Sequence, residues 1–176
     1  LTTNANAAIA ANAMQTLNQR YALDNTGATD VSAILQTALD AVATLGRDIY
    51  LDAGTYNLGA GTLAIPDNTR VLLSPGARLL RTAAPVTPAA LVSLGSDSLL
   101  YGGIYETTET VAVTSAESVA IMTKNQENTH VKNVAVRGKF YVGIQFQTAK
   151  YCSAEDCEVE GVKNRGLYSY LECDSI

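Results

Sequence analysis

The stretch Asp24-Asn25-Thr26-Gly27-Ala28-Thr29-Asp30, followed by an amphipathic segment and then by Ile49-Tyr50-Leu51-Asp52-Ala53-Gly54-Thr55-Tyr56, constrains the fold of this chain more than any other part. Thr29 or Asp30 is suited to cap a helix, because a short oxygen-bearing side chain can accept the unpaired N–H groups of a first turn. Val31, Ile34, Leu35, Ala38, Leu39 and Val42 then recur at three- and four-residue steps. That spacing places them on one face of a helix that runs to about Leu45 and is ended by Gly46. Asp48-Ile49-Tyr50-Leu51 has the β-branched and aromatic character of a strand and leads into a turn at Ala53-Gly54-Thr55-Tyr56.

Beyond residue 60 short apolar runs alternate with Gly, Asn, Asp and Ser, and no second long helix is indicated. The spacing predicts strands over Leu63–Ile65, Arg70–Leu73, Ala77–Leu80, Leu91–Leu94, Ser98–Tyr101, Val119–Thr123, Val131–Arg137, Gly143–Phe146, Ala154–Glu160 and Gly166–Tyr170. Val131-Lys132-Asn133-Val134-Ala135-Val136-Arg137-Gly138 lies over Ala154-Glu155-Asp156-Cys157-Glu158-Val159-Glu160-Gly161 at a period of 23 residues, and Gly143-Ile144 lies over Gly166-Leu167. Such a period suits one turn of a β-solenoid, each turn stacking about 4.8 Å above the last. If Val134, Val136, Cys157 and Val159 point inward, then Asn133, Ala135, Arg137, Asp156, Glu158 and Glu160 point outward. Stacking then sets Arg137 beside Glu160, Asn133 beside Asp156 and Lys132 beside Glu155.

Residues 1–23 differ from the rest, being rich in Ala, Asn, Thr and Gln with no Gly or Pro. Ala10, Met14, Leu17 and Tyr21 share a thin helical stripe that needs partners, since so short an apolar face is marginal in water. Two readings stay open: a frayed linker, or a helical neck joining three chains. The expected organisation is therefore a helical neck or linker over 1–23 and a β-helix over 24–176. The chain stops at Cys173-Asp174-Ser175-Ile176, where a new turn would begin without a capping element. The natural protein is expected to continue, because an uncapped end exposes a whole apolar layer.

Charge and composition exclude several functions. Twelve Lys and Arg against seventeen acids, with a formal net charge of −5 and no basic stripe, argue against a nucleic-acid partner. No run of about 18 apolar residues is present, so no membrane span is expected. Leu1-Thr2-Thr3-Asn4 lacks the basic and apolar regions of a secretion signal, although a cleaved one leaves no trace. Cys152, Cys157 and Cys173 match no zinc spacing and are expected to be reduced, buried thiols of a protein folded in a cytoplasm.

Chemistry-bearing residues are sparse. Glu158 and Glu160, two positions apart on one strand face, would hold carboxylates roughly 6.5–7 Å apart, near the separation an inverting glycosidase needs. With Asp156 they are the candidate catalytic residues. A charged outer strand facing Lys132, Asn133 and Arg137 explains the same acids without catalysis, and an adjacent Arg removes the reason for a raised proton-donor pKa. Glu106 and Glu109 among Thr107, Thr108 and Thr110 read as a polar loop. His130, the one histidine, has no nucleophile at motif spacing and reads as structural. Calcium would need clustered acids, which only 155–160 supplies, and Lys132 and Arg137 oppose it there. No metal or cofactor is expected. There is no Trp among the aromatics, and six of the nine Tyr lie at 101, 105, 141, 151, 168 and 170. Tyr101, Tyr105 and Tyr141, near Gly-containing turns, are the candidate saccharide-stacking residues.

The order Thr29-Asp30, helix, Gly46, apolar strand, Gly54-Thr55-Tyr56 resembles the start of the pectate-lyase-like right-handed parallel β-helix family, common among phage tailspikes and polysaccharide-degrading enzymes. Val31, Arg47 and Asp52 depart from the family's acidic, glycine and proline positions, none of which is catalytic. The resemblance implies an all-β fold, a right-handed parallel β-helix capped by an N-terminal helix. It also implies a phage tailspike or tail-fibre subunit in the virion, made in the host cytoplasm, that attaches to host cell-surface polysaccharide. Such a subunit is expected to be a homotrimer and to meet other tail proteins through its N-terminal segment. Alternatives are a secreted polysaccharide lyase or glycoside hydrolase of the same fold, and a non-enzymatic adhesin solenoid. Any depolymerising rungs are expected further along the protein, and this chain is expected to be inactive.

Overall fold

The structure is a computed structural model that describes residues 16–85, 89–108 and 118–170. Its strands form three sheets in which every pair is parallel. Sheet A holds β1 (Thr26–Asp30), β3 (Gly54–Asn57), β6 (Ala77–Arg81), β9 (Ile104–Thr107), β12 (Ala135–Arg137) and β15 (Glu158–Glu160). Sheet B holds β2 (Ile49–Leu51), β5 (Arg70–Leu73), β8 (Leu99–Tyr101), β11 (His130–Lys132) and β14 (Ser153–Glu155). Sheet C holds β4 (Leu63–Ile65), β7 (Val92–Leu94), β10 (Val119–Lys124), β13 (Val142–Gln147) and β16 (Arg165–Tyr170). From β2 onward the chain visits B, A and C in turn, rung after rung. The fold is a right-handed parallel β-helix.

Three corners make each rung. At the B–A corner the expected long strands 131–137 and 154–160 are each divided in two, because Asn133 (φ 54°) and Asp156 (φ 52°) adopt the left-handed conformation that Asn and Asp tolerate. The inward set is nevertheless as the alternation requires: Val134 and Val136 are buried, and Cys157 and Val159 pack against the same core. At the C–B corner Asn68, Asp97, Asn128 and Tyr151 take positive φ in successive rungs. Beneath them Thr69, Ser98, Thr129 and Cys152 stack inward, all buried, with Thr129 Oγ1 2.8 Å from Cys152 Sγ. The A–C corner is the variable one, spanning 82–91 and 108–118 in two rungs but only 138–141 and 161–164 in the next two. Cys152 and Cys157 are free thiols, and Cys173 lies outside the described residues.

Two helices close the first rung. α1 (Leu17–Tyr21) and α2 (Ser32–Ala43) lie over β2 and β4, and Leu35, Ala38, Leu39 and Val42 are buried in the core. Ile34, expected on that face, is 45% exposed. It sits at the rim of a stripe centred on Leu35 and Leu39. The N-cap is Val31, not Thr29 or Asp30, and makes no side-chain cap bond; Asp30 Oδ1 accepts the Ser32 N–H at 2.8 Å from one residue further out, while Thr29 turns back to Asp24. Of the stripe expected to face neighbouring chains, Leu17 is buried and Tyr21 packs against this chain's own core. Ala10 and Met14 lie outside the described residues.

The expected turn at Gly54-Thr55-Tyr56 is strand β3, and the expected polar loop at Glu106 and Thr107 is strand β9. Each is fixed by ladder pairing on both sides, which a local propensity argument does not see. Glu109 lies outside the described residues.

Candidate functional site

A β-helix surface is convex except where a corner is pared back to backbone. At the B–A corner the chain runs through Pro75-Gly76, Gly102-Gly103, Asn133-Val134 and Asp156-Cys157 in four successive rungs. Gly102 (φ 78°) and Gly103 (φ 84°) have no room for a side chain, since a Cβ would meet Leu73 O at 2.6 Å and Leu73 Cδ2 at 2.5 Å respectively. The result is a cleft of about 310 Å³. Its apolar wall is Leu73, Pro75, Tyr101 and Ile104, and its polar groups are Asn133, Asp156 and Glu158 with the exposed turn backbone. Tyr101 is 41% exposed at the end of β8. Beneath it Tyr105 braces the corner, its hydroxyl donating to Gly102 O at 3.0 Å.

Charges around the cleft are paired across rungs. Arg137 Nη2 lies 3.8 Å from Glu158 Oε2. Its register partner Glu160, the expected neighbour, is stacked beside it in the ladder but does not make that ion pair. Lys132 Nζ donates to Glu155 Oε2 at 2.8 Å, and this bond, with one from Ser153, holds the Glu155 carboxyl below its usual range. Arg78 sits 3.1 Å from Glu106. Asp156 makes no ion pair among the described residues.

The structure therefore brings together Tyr101, Asp156 and Glu158 from the sequence candidates and leaves out the others. Glu160 lies beyond the cleft on β15. Tyr105 is no saccharide contact. It is fully buried, and burial pushes its hydroxyl pKa well above 10. Tyr141 is half-buried in a separate cluster with Met122 and Tyr168 over Ala90, Val119 and Val142. The residues that sequence reasoning missed are Leu73, Pro75, Gly102, Gly103 and Asn133. The doublets Pro75-Gly76 and Gly102-Gly103, each within two residues of the end of a sheet B strand, are the signal that marks this corner.

The remaining motif residues build the frame. Thr55 pairs with Thr26 of β1, and Gly54 has its Cβ direction filled by Asn25 O at 2.6 Å. Tyr56 is buried with its hydroxyl bonded to Asn18 and to Asp52 O, and burial pushes its pKa up to about 12. Gly46 follows α2 at φ 61°. His130 Nδ1 lies 2.9 Å from Ser153 Oγ. Among the described residues no group of three or more His, Cys, Asp or Glu is placed to hold a metal ion.

No protein-family model and no curated protein sequence matches the chain. Among solved structures, the Streptococcus pneumoniae surface protein and adhesin PfbA superposes with a TM-score of 0.69 at 19% identity, over 85% of this chain and 42% of that one. A Parabacteroides merdae protein provisionally named a glycosyl hydrolase superposes with a TM-score of 0.56 at 12% identity, over 90% of this chain and 94% of that one. What they share with this chain is the fold. The chain spans 42% of the adhesin's length.

An exposed aromatic face and carboxylates are groups that orient a sugar. The same carboxylates are poorly placed as proton donors. Asp156 and Glu158 are exposed to water, without the apolar enclosure of a proton donor, and Glu158 faces the Arg137 guanidinium.

Proposed function

We propose that this chain is the glycan-binding β-helix of an attachment protein of the phage tailspike or tail-fibre kind, and that its B–A cleft takes a host cell-surface polysaccharide. The observation that carries the reading is the solvent-exposed Tyr101 ring on the apolar wall of a cleft whose polar side chains are Asn133, Asp156 and Glu158. The β-helix neighbours, an adhesin and a provisional glycosyl hydrolase, support a polysaccharide-related role. In this reading the protein acts in the virion, as a homotrimer attached to other tail proteins through its N-terminal segment. Leu17 and Tyr21 do not serve that trimer, being engaged with the chain's own core. A secreted adhesin is the alternative setting for the same binding surface.

Binding of the folded chain to a panel of bacterial surface glycans tests the reading. Tyr101→Ala is expected to weaken the best ligand about tenfold, a stacking face contributing about 1–1.5 kcal/mol. A panel that shows no ligand, or a ligand indifferent to Tyr101, overturns it. Sedimentation of the same protein tests the trimer.

A further inference from the structure

The cleft has an unusual charge for a glycan site. Its only ionisable lining groups besides Tyr101 are Asp156 and Glu158. The nearby cations are committed: Lys132 to Glu155, Arg137 to Glu158 and Arg78 to Glu106. Asp156 is left uncompensated at the solvent edge of the corner. An aromatic face attracts cations through its ring quadrupole, and carboxylates attract them by charge. Two independent features of one cleft thus favour the same ligand charge.

Resting on the glycan reading above, we infer that the cleft selects an amine-bearing sugar, held as its ammonium between Asp156 and Glu158, and rejects acidic glycans. Gly102, Asn133 and Asp156 occupy the same corner of three successive rungs, so Asp156 stands about 9–10 Å along the axis from the turn that follows Tyr101. A sugar ring stacked on Tyr101 leaves a neighbouring unit of the same chain over the carboxylates. A uronate there meets Asp156, which makes no ion pair among the described residues, and the adjacent Arg137 guanidinium is already engaged by Glu158.

Calorimetry with short oligomers of glucosamine, N-acetylglucosamine and galacturonate separates the possibilities. At about pH 5.5 the amines of the sugar are protonated. The glucosamine oligomer is expected to bind about five- to tenfold more tightly than its N-acetylated counterpart, the sum of an exposed ion pair and a cation–aromatic contact, with the preference fading at high salt. The galacturonate oligomer is expected not to bind. Asp156→Asn should remove most of the amine preference while keeping the fold, since Asn133 holds the same left-handed position one rung earlier. Glu158→Gln should remove the rest. Equal affinity for amine and N-acetyl oligomers, with binding still dependent on Tyr101, overturns this inference and leaves the glycan reading standing. Tight galacturonate binding, or an amine preference that survives Asp156→Asn, also overturns it. Absence of binding by all three overturns this inference, while the glycan reading falls only if the wider panel also shows no ligand.

Discussion

Asp24 gathers four hydrogen bonds on one carboxylate, from the N–H and hydroxyl of Thr26 and from the N–H and hydroxyl of Thr29, at 2.6–2.8 Å. These bonds, those from the threonine hydroxyls first, hold its carboxyl well below the usual range. A carboxyl depressed in the folded state contributes stability above its unfolded pKa near 3.9 and loses it as pH falls toward the folded value. The clasp is therefore expected to be intact at neutral pH and to weaken only below about pH 4. Acid unfolding followed by circular dichroism should show a shallower pH dependence in Asp24→Asn than in the parent below that point. Arg81 is the opposite case, a fully buried cation whose guanidinium donates to the carbonyls of Ala89 and Ala90 and is pushed down to about 10 by burial. Arg81→Met should cost about 2 kcal/mol in chemical denaturation, because it strips the Arg81 donors from the Ala89 and Ala90 carbonyls and leaves Ala90 O only the Thr62 hydroxyl.

At the scale of elements, α2 was legible because its period is local, whereas β3 and β9 were not. Gly54-Thr55-Tyr56 and Ile104-Tyr105-Glu106-Thr107 carry weak strand character of their own and become strands through partners two rungs apart in sheet A. Tyr101 and Tyr105 show the same limit. Both lie beside Gly102-Gly103, and only the geometry of that corner turns one ring outward and the other into the core. α2 covers the first rung through Leu35, which is wholly buried. Leu35→Asp is expected to yield insoluble protein, since it places an unpaired charge in the core. A soluble variant of parental stability would show that this face is not a lid. Leu17→Ala should lower stability by about 2–3 kcal/mol, as for other buried leucines. A change near zero would mean that α1 is not docked.

For the whole molecule, the 23-residue repeat was visible over 131–161 because both of those rungs close their A–C corner with short turns. The earlier rungs carry 82–91 and 108–118 at that corner, which puts the sequence out of phase while the strands stay in register. The cleft was invisible for a related reason. Leu73, Gly102, Asn133 and Asp156 come from four rungs, and no local window contains them. Because its carboxylates are exposed and Glu158 is engaged by Arg137, the chain is expected to release no new reducing ends and no unsaturated product from any glycan it binds. Cleavage abolished by Glu158→Gln or Asp156→Asn would make this corner an active site.

The unequal A–C corners carry a consequence for how such a chain can change over evolutionary time. Sheets A, B and C keep their pairing across rungs whose A–C connections differ in length, so the spine is insulated from what happens at that edge. The B–A corner has no such freedom at its third rung, because Gly102 and Gly103 are pressed against Leu73. Residues can therefore be added at the A–C corner without disturbing the ladders, whereas a side chain added at Gly102 or Gly103 would have to displace Leu73.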